Sequence, residues 1–182
     1  MIRVTTGIAK NKKLEAPDVE NFRAVQEKVK LAVFAILSEK INNAICLDLY
    51  AGSGNLGIEA LSRGASWCDF VDEHPESIEI ISKNIKFTGF EEKSGIFRRD
   101  AVKYVTHAEK LYNIIFCDPF YENTSHVHLL NNMVNILADK GVLIFFHGEQ
   151  LDINATSKKS DLKILTQRKF GRGYFTILQK DH

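Results

Sequence analysis

Cysteine is scarce in this chain of 182 residues, with only Cys46, Cys68 and Cys117 present. They are odd in number and scattered, with no metal-ligand spacing, which argues against a disulfide framework and against a metal site. Each lies in an apolar, strand-like run and reads as a small core residue in a reducing compartment. Long hydrophobic runs are missing too. The longest, such as 142–146, fall far short of the about 20 residues a bilayer requires, so no membrane span is expected. The opening "MIRVTTGIAKNKK" has no apolar signal core, and a cytoplasmic location is the expectation. Neither charge sign dominates: 24 Lys and Arg face 23 Asp and Glu, a net charge of +1. That leaves no whole-molecule attraction to polyanions. Internal repeats and low-complexity segments are absent. His126 and His128 lack further ligands and read as a helix start rather than a metal pair.

What is present is an ordinary globular composition, 45% hydrophobic and 26% charged, in a length that suits one domain. The charge is uneven along the chain. "KNKK" at 10–13 is basic, and so is the tail, where Lys158, Lys159, Lys163, Arg168, Lys169 and Arg172 face only Asp161. Two basic ends fit a local nucleic-acid footprint and a plain solvated surface equally well.

The middle of the chain alternates strand and helix patterns. Strands are predicted at 45–50, 67–72, 95–100, 112–119 and 141–146. Helices are predicted at 55–62, 75–87, 101–108 and 126–139, with Pro75 opening the second and Gly64 closing the first. Runs at 162–167 and 173–180 have no helix between them and predict a hairpin. The fold class is therefore α/β: a Rossmann-like, doubly wound, mainly parallel seven-stranded sheet ending in an antiparallel hairpin. Its ligand belongs at the carboxyl ends of the strands. Ahead of it, 1–6 and 12–14 read as two short strands around Gly7. Then "FRAVQEKVKLAVFAIL" spaces Val25, Val29, Val33 and Ile36 or Leu37 as one packing face of a helix. The expected division is a basic N-terminal hairpin extension at 1–20 and the main domain at 21–182.

"LDLYAGSGNLGIEALSRGA" (47–65) contains the pattern G-x-G-x-x-G, which alone does not distinguish a dinucleotide from other ligands. Asp48, in the strand just before the turn, would face an incoming pyrophosphate and repel it. S-adenosylmethionine has no phosphate and carries a sulfonium and an ammonium, so an acid there is tolerated or favourable. Asp72 ends the second strand and could accept both ribose hydroxyls; Asp100, after the third, could accept the adenine amino group. Asp100 could equally N-cap the next helix. Three acids at successive strand ends, with Ala51, Gly52, Ser53 and Gly54 as the loop and Ala101 beside Asp100, select S-adenosylmethionine, with S-adenosylhomocysteine as product. No metal is implied.

The fourth strand runs into "FCDPFY" (116–121). This resembles the class I methyltransferases that modify exocyclic amino groups, whose fourth strand ends in Asp/Asn-Pro-Pro-Tyr/Phe. The amine lone pair is delocalised into the ring. Asp118 and the Pro119 carbonyl could hold both amino hydrogens and aim the nitrogen at the methyl group. Tyr121 could stack on the base, and Asp118 could take the proton after attack. Phe120 stands where the second proline is usual, which relaxes the turn.

With these motifs in place, the chain resembles the bacterial small-subunit (16S) ribosomal RNA guanine-N2 methyltransferases over almost its full length. "GSG-x-LG-x-EALSRGA" is the specific signature. Asp72, Asp100-Ala101 and Asp118-Pro119-Phe120-Tyr121 fall at the family's acid, adenine and catalytic positions. "IRVTTGIAKNKKLEAP" resembles the family's basic N-terminal hairpin, which implies RNA contacts from Lys10, Lys12 and Lys13, with Arg23 and Phe120 added. Arg23 is kept from an Arg-Pro-Thr motif, while Ala24 and Val25 replace the other two. His147 stands where glutamate is usual after the fifth strand. The resemblance implies N2-methylation of guanine in 16S RNA or a small-subunit assembly intermediate, by a monomer. Adenine N6 in DNA, a protein glutamine amide, a catalytically weak RNA-binding module and a dinucleotide oxidoreductase remain the alternatives. Arg63 is expected to favour the C-terminal dipole of its helix. "FGRG" (170–173) reads as a strand turn, and Arg172 in it is set aside as a phosphate contact.

Overall fold

In the computed structural model the described residues are 1–119, 126–148, 152 and 161–182. Nine strands and five α-helices are present among them. A small antiparallel pair, β1 (Ile2–Arg3) and β2 (Lys13–Leu14), opens the chain. Helix α1 (Glu27–Leu37) follows, and then the alternating units β3 (Ile45–Leu49), α2 (Asn55–Ser62), β4 (Trp67–Asp72), α3 (Pro75–Thr88), β5 (Ser94–Arg98), α4 (Ala101–His107), β6 (Tyr112–Cys117), α5 (His126–Asn135) and β7 (Leu137–His147). The hairpin β8 (Leu162–Phe170) and β9 (Gly173–Lys180) completes the sheet.

The seven strands run in the order β5-β4-β3-β6-β7-β9-β8, with β9 inserted antiparallel between β7 and β8. The first five are parallel. One apolar core lies between the sheet and α1, α2 and α3; a second lies between the other face and α4 and α5. Leaving β3 the chain turns towards β4 and β5, then returns to lay β6 on the other side of β3. The sheet therefore has its switch point between β3 and β6, where open α/β sheets bind ligands beyond the strand carboxyl ends.

Several boundaries differ from the sequence reading, and two of the differences have a clear cause in the packing. The helix expected from Phe22 starts at Glu27, so the preceding residues form an irregular strap, and Val25 is only half-buried. The helix expected at 126–139 stops at Asn135, and Leu137 begins β7 opposite Tyr112. Leu129, Leu130, Met133 and Ile136 keep helical spacing, but the Tyr112 N–H donates to the Ile136 carbonyl at 2.8 Å and draws the chain into the sheet. Lys140, with φ of 58°, then marks the irregularity before the main run of β7. No described helix is long and apolar enough to cross a membrane.

Candidate active site

The glycine turn joins β3 to α2. Tyr50 (φ 57°), Gly52 (φ 59°) and Gly54 (φ 79°) all adopt left-handed backbone. Glycine is unstrained there; a non-glycine residue such as Tyr50 is held against a bias of roughly 1–2 kcal/mol. A Cβ on Gly52 would stand 2.5 Å from the Phe22 ring, so the strap closes over the turn. Gly57 has a different duty. Its Cβ would meet Phe70 at 2.4 Å and Cys68 Sγ at 2.7 Å, so glycine lets α2 lie directly on β4.

Three side chains hold the turn. Asp48 Oδ2 accepts the Gly57 N–H at 2.9 Å. That N–H belongs to the first turn of α2, whose donors have no partner within the helix, so Asp48 caps the helix from the strand beneath it. Asp72 Oδ2 accepts the Gly52 N–H at 2.9 Å, and its Oδ1 accepts the His74 N–H at 3.0 Å. Asn84, from α3, donates to the Ser53 carbonyl at 2.8 Å.

Asp48 thus lies under the loop, 2% exposed, rather than at an open entrance. Burial pushes its carboxyl well above the ordinary range; the Gly57 N–H opposes this, while Asp118 and Asp72 add to it. Three carboxyls therefore share the carboxyl edge around the switch point, an electronegative setting that suits a cation. Asp100 caps α4, its Oδ1 accepting the Lys103 N–H at 2.9 Å. Beside it, Tyr50, Asp72, Glu73, His74, Arg99 and Ala101 line a small pocket. Sequence patterning named Asp72 and Ala101 but missed Tyr50, Glu73, His74 and Arg99, and nothing in the pattern marks the left-handed backbone of Tyr50.

Asp118 follows β6 directly, half-buried, with Pro119 buried behind it. Burial pushes the Asp118 carboxyl up to about 7, and the charge of Arg23 on the strap pulls the other way. Phe120 and Tyr121 lie outside the described residues.

The basic residues of the N-terminal extension are elsewhere. Ile8 N–H donates to the Ser62 carbonyl at 2.9 Å, and Gly7 passes so close that a Cβ would sit 1.8 Å from that carbonyl oxygen. Ser62 ends α2, so the hairpin rests at the amino edge of the sheet. Lys12 donates to the Phe87 carbonyl at 3.0 Å near the end of α3, and Lys10 and Lys13 are exposed nearby in the chain. Arg63 does more than sit at a helix end: its Nε pairs with Glu59 at 2.9 Å and its guanidinium lies 4.7 Å from the Phe34 ring centroid. Glu59, fully buried, also meets Lys30 Nζ at 2.9 Å and accepts from Thr5 and Thr6. The "EALSR" of the signature is therefore the dock for the N-terminal extension. His147 ends β7, buried, with its Nε2 2.8 Å from Thr176 Oγ1 and its ring stacked 5.7 Å from Tyr174. The three cysteines are buried and free. Among the described residues no group of His, Cys, Asp and Glu could hold a metal.

A parallel sheet switching at β3/β6, a glycine turn held by strand-end acids and an Asp-Pro at the end of β6 define a class I methyltransferase fold. The solved structures agree. The yhhF structure from Escherichia coli superposes with a TM-score of 0.88 at 23% identity, covering 99% of this chain and 98% of that one. SMU.776, solved complexed with SAH, gives a TM-score of 0.67 at 14% identity over 80% of this chain and 48% of its own. The chain belongs to the family described as Conserved hypothetical protein 95, which it matches over residues 2–179. Among its relatives, YlbH of Bacillus subtilis is 30% identical over 98% of this chain and 99% of its own. Ribosomal RNA small subunit methyltransferase D of Escherichia coli K12 is 31% identical over 78% of this chain and 69% of its own.

Proposed function

We propose that this protein transfers a methyl group from S-adenosylmethionine to the exocyclic N2 amino group of a guanine in 16S ribosomal RNA, free or within a small-subunit assembly intermediate. The observation that carries this reading is the position of Asp118. It is a half-buried carboxyl at the end of β6, the strand beside the one that delivers the glycine turn. The kinship with the small subunit methyltransferase D proteins supports ribosomal RNA as the substrate.

The residues present fit the donor. The carboxyls of Asp48 and Asp72 offer only acceptor oxygens and negative charge at the turn, which opposes a diphosphate. A bound sulfonium would favour their charged forms against the burial that raises Asp48. Asp72 and Ala101 line the pocket that would take ribose and adenine. Asp72 spends one hydrogen bond per oxygen on backbone, leaving a lone pair on each for a hydroxyl. When bound, S-adenosylmethionine supplies an electrophilic methyl group. Asp118 accepts hydrogen bonds from the guanine amino group, fixes its nitrogen in line, and takes the proton released after attack. Arg23 keeps Asp118 more acidic than burial alone would make it. Such positioning and proton transfer are worth about 10²–10⁴ in rate.

The test is transfer of tritiated methyl to small subunits, naked 16S RNA, DNA and total protein, followed by nucleoside mapping. N2-methylguanine in the RNA is the expected product. Label confined to DNA or to protein would overturn the assignment.

A further inference from the structure

We infer that the tip of the C-terminal hairpin, with Lys169 over the Tyr174 ring, Arg172 in the turn and Arg168 beside them on β8, is the phosphate-binding surface that holds the RNA strand beside the target guanine. This rests on the RNA methyltransferase reading above and deepens it.

The topology places this tip at the working edge. β7 runs parallel to β6, so its last residue, His147, stands at the same carboxyl edge as Asp118. His147 pairs with Tyr174 at the start of β9, and Tyr174 pairs with Lys169 near the end of β8. The β8–β9 turn at Gly171-Arg172 therefore projects from the carboxyl edge. Between β6 and this hairpin lie two to three strand spacings, about 10–15 Å. That is within reach of nucleotides flanking a base held at Asp118.

The chemistry suits a phosphate backbone. Arg168, Lys169 and Arg172 are exposed, and none pairs with a carboxylate among the described residues. Lys169 Nζ lies 5.9 Å from the centroid of the Tyr174 ring, which stacks in turn on His147. A lysine resting on a stacked aromatic pair is held over a rigid base. The turn adds Arg172, whose planar fork matches phosphate oxygens. At the centre of the same edge the carboxyls of Asp72 and Asp118 are unfavourable for phosphate. The backbone of the RNA is thus directed to the flank while the neutral base enters the middle.

The N-terminal lysines cannot serve this purpose. Their hairpin rests on the end of α2 and on the end of α3, at the opposite edge of the sheet. A strand of six residues such as β4 separates the edges by about 20 Å. Lys10 and Lys13 can touch RNA only at a distance from the reacting base.

The experiment compares wild type with Lys169→Gln/Arg172→Gln and, as a reference, Lys10→Gln/Lys13→Gln. RNA affinity is measured from 50 to 200 mM salt, together with kcat/KM for methyl transfer, cofactor affinity and melting temperature. Each lost phosphate contact lowers the slope of log K against log salt by about 0.7–0.9. The hairpin double variant should therefore lose about 1.4–1.8 from the slope, so its affinity falls roughly tenfold less across that salt range. Its kcat/KM for RNA should drop while cofactor affinity and melting temperature stay put. Arg172→Gln alone, at an exposed turn, should show half the slope change. An unchanged slope and kcat/KM in the double variant, with wild type still methylating RNA, overturns the inference and leaves the enzyme assignment standing. A wild type that methylates no RNA at any salt overturns both.

Discussion

Asp118 carries the sharpest expectations at the scale of single residues. Its carboxyl sits at about 7 because burial disfavours the charged form more than Arg23 favours it. A base with that value is protonated below neutrality and ionised above it, so methyl transfer should rise with pH through about 7. Replacing Arg23 by Gln removes the lowering influence, and the midpoint of the pH–rate profile should move upward. An unmoved midpoint would show that Arg23 does not act on Asp118. Asp118→Ala should cost about 10²–10⁴ in methyl transfer with cofactor binding retained, as read by isothermal calorimetry. Gly57→Ala is a packing test. The new Cβ meets Phe70 and Cys68 at 2.4 and 2.7 Å, and such overpacking should lower stability by about 1–3 kcal/mol in thermal denaturation.

At the scale of elements, the strap between β2 and α1 is fastened by two buried amides. Asn84 accepts the Glu15 N–H at 2.9 Å and donates to the Glu15 carbonyl at 2.9 Å as well as to Ser53. Asn55, the first residue of α2, donates to the Val25 carbonyl at 3.2 Å. Between these anchors Phe22 lies on Gly52 and Arg23 stands near Asp118. Asn84→Ala leaves the buried Ser53 carbonyl unpaired, at about 1–3 kcal/mol, and frees the part-buried backbone of Glu15. If about 1 kcal/mol of that falls on the order of the turn, cofactor Kd should rise roughly fivefold. Equal Kd values in variant and wild type would place the whole effect on global stability. Helical spacing from Val25 to Leu37 extended the expected helix back to Phe22, yet the strap is irregular. Its backbone is anchored at Glu15 by Asn84 and at Val25 by Asn55, neighbours distant in sequence that no local pattern displays.

For the whole molecule, Glu59 is the joint between the N-terminal extension and the sheet domain. Burial raises its pKa, but the Lys30 charge and the Thr5 donors outweigh this and hold it below the ordinary range. A carboxyl with a depressed folded pKa contributes stability that is present above its unfolded value and lost as pH falls through the folded one. The extension should therefore detach under acid before the sheet does, seen as early loss of amide protection at Ile8 and Ala9. Lys30→Met leaves Glu59 buried without its main countercharge and should cost about 3–5 kcal/mol in urea unfolding. A loss under 1 kcal/mol would mean that Arg63 and the threonine donors suffice alone.

Much of this molecule was determined locally. Alternation of apolar runs with helical spacing, punctuated by Gly54, Gly64 and Pro75, specifies the strand–helix units and so the parallel sheet, because these signals depend on neighbours a few residues apart. The order of acids after successive strands likewise foretold which side chains meet at the carboxyl edge, since parallel strands bring their ends to one side. Tertiary packing decided the rest. Asp48 and Asp72 also brace the glycine turn, because the free N–H groups of Gly57 and Gly52 lie against them. Arg63 turned to Glu59, and the N-terminal lysines went to the edge opposite Asp118, because the extension docks on the end of α2. These outcomes depend on burial and on partners dozens of residues away, and only the folded chain brings such groups within reach.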